Sequence, residues 1–303
     1  MNTTCTLCPR NCNVDRTNGR TGFCGQTKEI KAARAALHMW EEPCISGTKG
    51  SGTVFFSGCT LRCVFCQNAA IAAGKSGKII SKERLSEIFL ELQEQGANNI
   101  NLVTPTQFVP QIAQALEHAK MHGLNLPIVY NTGSYEHVDT LRRMEGLVDV
   151  YLPDLKYYSS ELSLRYSHAA DYFLVASNAI KEMFRQVGTP LFTETSSGSE
   201  SMPLITRGVI VRHLVLPGHI ADSKKIIKYL YDTYGNDIYI SIMNQYTPAT
   251  DLTDFPELNR RLTQKEYDTV VDYAINLGVE NGFSQEGDTA EESFIPPFDL
   301  TGI

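Results

Sequence analysis

The chain has 303 residues, a formal net charge of −7, 42% hydrophobic and 20% charged residues, enough for one α/β barrel with an appendage or for two small domains. Without a long basic run it does not read as a nucleic-acid binder, and no window holds the ~18 apolar residues of a membrane span. Met1-Asn2-Thr3-Thr4-Cys5 lacks the charged and apolar stretches of a signal peptide, so the eight cysteines are expected in a reducing cytoplasm, where clustered thiols point to metal ligation.

Cys5, Cys8, Cys12 and Cys24 form a C-x2-C-x3-C-x11-C set, with Gly19, Gly22 and Gly25 as turns. The segment is too short and polar for its own core, and a bound metal would supply the missing folding energy. Four thiolates suit zinc or a [4Fe-4S] cluster equally; a reduced, metal-free thiol group is the alternative. Cys44 stands alone and reads as a buried, inert thiol. Between them, the alanines of Lys31–Trp40 favour helix while Glu41-Glu42-Pro43 ends one, so that state stays open. His38 reads as a structural hydrogen-bonder. This cysteine-rich module and linker is assigned residues 1–48, and Gly47, Gly50 and Gly52 lead into the first core strand.

That strand is the apolar run Thr53-Val54-Phe55-Phe56-Ser57. A loop with Cys59, Cys63 and Cys66 follows directly. Three thiolates are one short of a structural zinc site, but they suit a cubane iron–sulfur cluster with one iron left open. Ser81 caps a helix with Leu85, Ile88, Phe89 and Leu92 on one face and Gly96 at its end. Asn99–Thr104 is strand-like, and Pro110 starts a helix running to Gly123. Strand Pro127–Asn131 follows, then a helix from about Ser134 with Val138, Leu141 and Met144 inward. Strand Val148–Leu152, helices near Ser159–Ser167 and Asp171–Val187, and a polar loop Thr193–Pro203 come next. The pattern closes with strand Val209–Leu216, helix Asp222–Tyr234, strand Ile238–Met243, and a last helix opened by a Thr263/Glu266 capping box. Repeated β-α units predict a parallel sheet or barrel over 49–245, with 246–303 packing on it. Sites on such barrels lie at the C-terminal strand ends.

The Cys59-x3-Cys63-x2-Cys66 loop, with Gly58 before it and Phe65 beside its last cysteine, resembles the signature of radical S-adenosylmethionine (SAM) enzymes. The resemblance implies an incomplete parallel (β/α)6 barrel. It also implies that Cys59, Cys63 and Cys66 hold a [4Fe-4S] cluster whose fourth iron is chelated by SAM, with Phe65 along the adenine. Over nearly the whole chain, including Cys-x-Leu-Cys-Pro-Arg-x-Cys at the start, it is similar to the pyruvate formate-lyase activating enzyme-like group. Thr104-Pro105-Thr106 stands where many such enzymes carry Gly-Gly-Glu, so the Thr104 and Thr106 hydroxyls are candidates for the SAM amino group. Asn131-Thr132-Gly133 resembles an Asp-Thr-Asn-Gly stretch, with an amide replacing the usual acid, which weakens the case for a monovalent cation there. Asp154-x-Lys156 matches an Asp-x-Lys pattern, and residues two apart on a strand share a face. Lys156 would pair with the SAM carboxylate and Asp154 with a hydroxyl or amino group. Arg212, followed by Pro217-Gly218, is a candidate carboxylate or ribose contact, while His213 alternates away. In the tail, Glu286 is a candidate substrate-site acid, though an acidic surface loop is the simpler reading.

The reaction implied is reductive SAM cleavage to a 5′-deoxyadenosyl radical, then hydrogen abstraction. The substrate is either a glycine of a glycyl-radical enzyme or a small molecule or cofactor precursor. A non-catalytic cluster carrier is a third reading, against which the Asp154/Lys156 pair argues. Arg62, Lys75, Lys78, Lys82 and Arg84 form a basic patch beside the cluster loop. It suits an acidic flavodoxin or ferredoxin-type electron donor, or is simply a solvated helix start.

Overall fold

The computed structural model describes residues 4–194, 203–248, 252–285 and 296–303. In chain order its elements are β1 (Ile30–His38), α1 (Pro43–Ser46), β2 (Ser51–Phe56), α2 (Ala69–Ala72), β3 (Lys78–Ile80), α3 (Lys82–Glu94), β4 (Ile100–Val103), α4 (Val109–Met121) and β5 (Ile128–Thr132). There follow α5 (Val138–Leu141), β6 (Val150–Pro153), α6 (Ser160–Ser167), α7 (Tyr172–Val187), β7 (Leu191–Phe192), β8 (Ile205–Leu214), α8 (Ile220–Tyr234), β9 (Tyr239–Met243), α9 (Gln264–Leu277) and β10 (Gly282–Ser284).

Local chemistry explains the regular parts. Ser81 accepts a hydrogen bond from the Arg84 amide at the start of α3, whose Leu85, Ile88, Phe89 and Leu92 are all buried. Thr263 and Glu266 form the reciprocal capping box of α9. The strands β2, β4, β5, β6, β8 and β9 pair in parallel in that order, joined by helices that cover the outer face. This is the expected (β/α)6 arrangement. β10 extends it in parallel beside β9, β7 pairs antiparallel with β8, and β1 and β3 add an antiparallel edge beyond β2.

One stretch left open by the sequence takes a definite form, and one helix departs from its expected start. Lys31–Trp40 supplies β1; Ala32, Ala33 and Ala35 are small enough for the strand to sit tightly buried between β2 and β3. The tail adds to the same strand through Leu300 N–H to Ala33 O at 3.1 Å and Ala35 N–H to Thr301 O at 2.8 Å. The helix expected from about Ser134 starts only at Val138 and passes into one tight turn, Arg142–Met144, because Ser134 is left-handed (φ 65°) and Tyr135 and Glu136 turn inward. Of the loop Thr193–Pro203, residues 195–202 lie outside the described residues, as does Glu286.

Two layers of core result. Helices pack on the sheet's outer face through residues such as Leu85, Phe89, Leu116 and Ile180. Inside the barrel, Val129, Val150, Leu152 and Ile210 close around Cys44 and Ile45 of α1. The linker thus runs into the barrel axis and plugs its floor.

Candidate active site at the barrel mouth

The loop after β2 is held by backbone contacts that leave its cysteine side chains free to point inward. Gln107 Nε2 donates to the carbonyls of Ser57 (2.9 Å), Gly58 (3.1 Å) and Thr104 (2.8 Å), and Val64 N–H donates to Tyr166 O at 2.9 Å. Gly58 has φ 85°, and a Cβ there would lie 2.5 Å from Cys24 O, so only glycine fits. Cys59, Cys63 and Cys66 line one cavity of ≈ 250 Å³. Phe65, Thr104, Asn131, Asp154, Lys156 and Arg212 line it too. Thr106 does not: its hydroxyl donates to Glu136 Oε1 at 2.6 Å in a buried network with Tyr130 and Thr132. Phe65 is wedged edge-on among Tyr157, Tyr166 and Tyr246. Thr104 adopts φ 57°, sparsely allowed for a β-branched residue, and such strain gathers where ligands bind.

The ionic residues meet in one network. Lys156 Nζ lies 2.6 Å from Asp154 Oδ2, and Arg212 Nε lies 2.8 Å from Asp154 Oδ1. Arg212 also donates to Asn131 Oδ1 at 2.6 Å and to Glu41 Oε2 at 3.2 Å, while Asn131 Nδ2 donates to Glu41 Oε1 at 3.3 Å. Burial alone would raise the Asp154 carboxyl, but Arg212 and Lys156 hold it below its ordinary value. Lys156 is held up against burial by Asp154 and by the nearby Cys63. Glu42, behind Glu41, is pushed up to about 7 by burial and by Glu41, with Arg212 opposing. Its Oε2 and both amide atoms of Asn101 lack hydrogen-bond partners among the described residues.

The donor set on the opposite wall fits a multi-iron group. Burial pushes the Cys66 thiol up to about 12, with Cys63 and Cys59 adding to it, and burial also raises Cys63 against Lys156. Cys59, Cys63 and Cys66 line one cavity, and the two thiols that burial raises, Cys63 and Cys66, call for a cationic core to take their protons' place. Among the described residues no three His, Cys, Asp or Glu side chains are set to hold a single metal ion. This includes the N-terminal cysteines, although Cys8 feels Cys24 and Cys5, and Cys24 feels Cys5 and Cys12. Their module is fixed to the core by Arg16, which donates to Gln107 O at 2.8 Å, and by Arg10.

Sequence reasoning missed Glu41, Glu42, Gln107 and Ser167. The adjacent acids before Pro43 were a signal, but they read only as a helix stop. The basic patch is smaller than expected. Arg84 is taken by Glu87 and Glu91, and Arg62 is folded against Ala73 O and over Phe23. Lys75, Lys78 and Lys82 stay exposed.

The structure is that of a parallel α/β barrel whose first strand delivers three cysteines to a cavity rimmed by strand-end ions. Residues 53–195 match the radical SAM superfamily model. It is 29% identical over 280 residues to "Uncharacterized protein MJ0674" of Methanocaldococcus jannaschii, covering 89% of this chain and 74% of that one. In fold it is similar to Streptococcus suis SuiB bound to S-adenosylmethionine, with TM-score 0.51 and 11% identity over 77% of this chain and 49% of SuiB. Methylornithine synthase (PylB) aligns with TM-score 0.49 and 16% identity over 72% of this chain and 59% of that one. The chain thus spans about half the length of SuiB. No helix among the described residues is long and apolar enough to cross a membrane.

Proposed function

We propose that this chain is a radical SAM enzyme in which Cys59, Cys63 and Cys66 bind a [4Fe-4S] cluster. The observation that carries the reading is the cavity itself, with three cysteines on one wall and the Asp154–Lys156–Arg212–Asn131 network on the other. When bound, the cluster and SAM supply an electron and a 5′-deoxyadenosyl radical. The chain's own residues bind, orient and shield. Lys156 and Arg212 offer fixed cations to a carboxylate, and Asp154 and Glu41 keep those cations in place. Phe65 and Leu61 give an apolar wall that excludes water from a reactive carbon. The test is anaerobic reconstitution with iron and sulfide, followed by reduction with SAM. 5′-Deoxyadenosine should appear in wild type and be lost in Cys59→Ala, Cys63→Ala and Cys66→Ala; its absence from the wild type would leave only a cluster carrier.

For the substrate, the activase-like strand ends favour a glycine of a glycyl-radical enzyme, because Asn131, Asp154, Lys156 and Arg212 meet in a single network. A doublet protein-radical signal on such an enzyme would support this. Abundant 5′-deoxyadenosine without one points instead to a small molecule or cofactor precursor. Two further parts belong to the same proposal. Cys5, Cys8, Cys12 and Cys24 bind a second metal centre, zinc or [4Fe-4S], and Lys75, Lys78 and Lys82 dock a flavodoxin or ferredoxin-type donor. The enzyme then works in the cytoplasm, where such donors and reduced thiols are found.

A further inference from the structure

One hydrogen-bonded chain leads from the N-terminal module to a cavity cysteine, and the function proposed above gives it no role. Arg10 lies between Cys8 and Cys12. Its guanidinium donates to Thr60 O at 2.8 Å, inside the cluster loop, and to Ser167 O at 2.8 Å. A further bond goes to His168 O. Those last two carbonyls end α6, where His168 turns left-handed at φ 54°. Helix-terminal carbonyls have no partner within the helix, and an arginine is a suitable one. Phe23, from the same module, holds the guanidinium from above, with 3.9 Å between Cζ and the ring centroid. Arg10 therefore fixes the last turn of α6 in place.

The side chain at that last turn is what matters. Ser167, fully buried, donates its Oγ–H to Cys63 Sγ at 2.9 Å. Tyr157, also fully buried, sits 2.7 Å from the same Oγ. Since Ser167 donates to sulfur, its oxygen is left to accept from the Tyr157 hydroxyl, and the two bonds strengthen each other in a dry setting. Hydrogen bonds to ligand sulfurs draw electron density from them and raise the reduction potential of an iron–sulfur centre.

We propose that Ser167 is a positioning residue that raises the reduction potential of the centre held by Cys63, and that Arg10 makes this bond depend on the state of the N-terminal cysteine module. Loss of order around Cys8 and Cys12 frees Arg10, the end of α6 loosens, and the Ser167 bond to sulfur lengthens. The module then acts as a licence for reduction: the cluster accepts an electron readily only when the module is assembled. This rests on the proposal that Cys59, Cys63 and Cys66 bind a cluster, and iron content with the charge-transfer absorbance of the reconstituted wild type tests that separately.

The experiment is an anaerobic redox titration, followed by electron paramagnetic resonance, of the reconstituted full chain and its variants. Where the N-terminal module also holds a cluster, the signal that disappears in Cys59→Ala identifies the Cys63 centre, and that signal is followed. Ser167→Ala should lower the midpoint potential, and Ser167→Thr, which keeps the hydroxyl, should restore it. Tyr157→Phe should give a smaller shift in the same direction; it also provides the answer if Ser167→Ala loads no iron. Arg10→Ala should lower the potential of the Cys63 centre in the otherwise intact chain, and Arg10→Ala with Ser167→Ala should shift no further than Ser167→Ala alone. A wild-type potential in both Ser167→Ala and Tyr157→Phe would overturn the proposal, as would Arg10→Ala and Ser167→Ala shifts that simply add.

Discussion

Replacing Arg212 by methionine keeps the unbranched stem of the side chain and removes the charge that three buried carboxyl groups share. Arg212 contacts Asp154 at 2.8 Å and Glu41 at 3.2 Å and opposes the upward shift of Glu42. Asp154 retains Lys156, but Glu41 retains only the Asn131 amide and Glu42 the Ser241 hydroxyl. Removing one partner from a buried ion pair costs about 3–5 kcal/mol, and the size here depends on pH in a definite direction. Glu41 and Glu42 already sit above the ordinary carboxylate value because of burial, and without Arg212 both move further up. A carboxyl raised in the folded state contributes stability while protonated and loses it as pH rises through the folded value. Each such group gives a slope of about 1.4 kcal/mol per pH unit between the unfolded and folded values. The loss relative to wild type should therefore be small at acid pH and grow as pH rises above about 7, the value Glu42 holds with Arg212 in place. Anaerobic urea unfolding at several pH values measures it. A loss that is flat with pH, or below about 1 kcal/mol at the alkaline end, would show that these carboxyls do not depend on Arg212.

Gly58→Ala should cost about 2–5 kcal/mol through its left-handed backbone and the close approach of Cys24 O, read by urea unfolding. Thr263→Ala should remove the cap of α9 at a cost of about 1 kcal/mol by the same assay, with 5′-deoxyadenosine formation unchanged. Cys5→Ala with Cys8→Ala should lower bound iron by about four per chain if the N-terminal centre is a cluster, or remove one zinc if it is a clamp, as metal analysis will tell. Reversing Lys75, Lys78 and Lys82 to glutamate should slow reduction by a protein donor and leave dithionite-driven turnover intact in stopped-flow comparison.

What could be read in advance was local. The α3 stripe and Ser81 cap, the α9 capping box, and the shared face of Asp154 and Lys156 follow from periodicity and neighbouring residues, and the structure has all of them. The alternation of strands and helices was enough for the parallel order because crossovers in one sheet have a fixed hand. β1 was ambiguous because alanine is indifferent to the edge of a sheet until its neighbours are known. Glu41 was unreadable for a different reason. Its partner Arg212 is 171 positions away, and nothing near either residue announces the pairing. Arg10 and Ser167 are 157 positions apart and were hidden in the same way. Thr106 illustrates the converse: its hydroxyl looked available at a strand end, but the inward turn of Glu136 claimed it.

The plug inside the barrel has a consequence for how such a chain can diversify. The floor is laid by Cys44 and Ile45, which precede the first barrel strand, and the acid that rises from it is Glu41. The short connection from the end of β1 to α1 therefore sets how high that carboxylate stands in the cavity, much as the length of a stem sets the height of a float. One residue inserted or removed between Met39 and Pro43 would raise, lower or turn the acid without altering any strand end. In this way a linker outside the cavity wall sets the floor and the acid of the cavity independently of the strand ends. A transplant of the barrel cut at residue 49 would leave behind both its floor and the acid that stands on it.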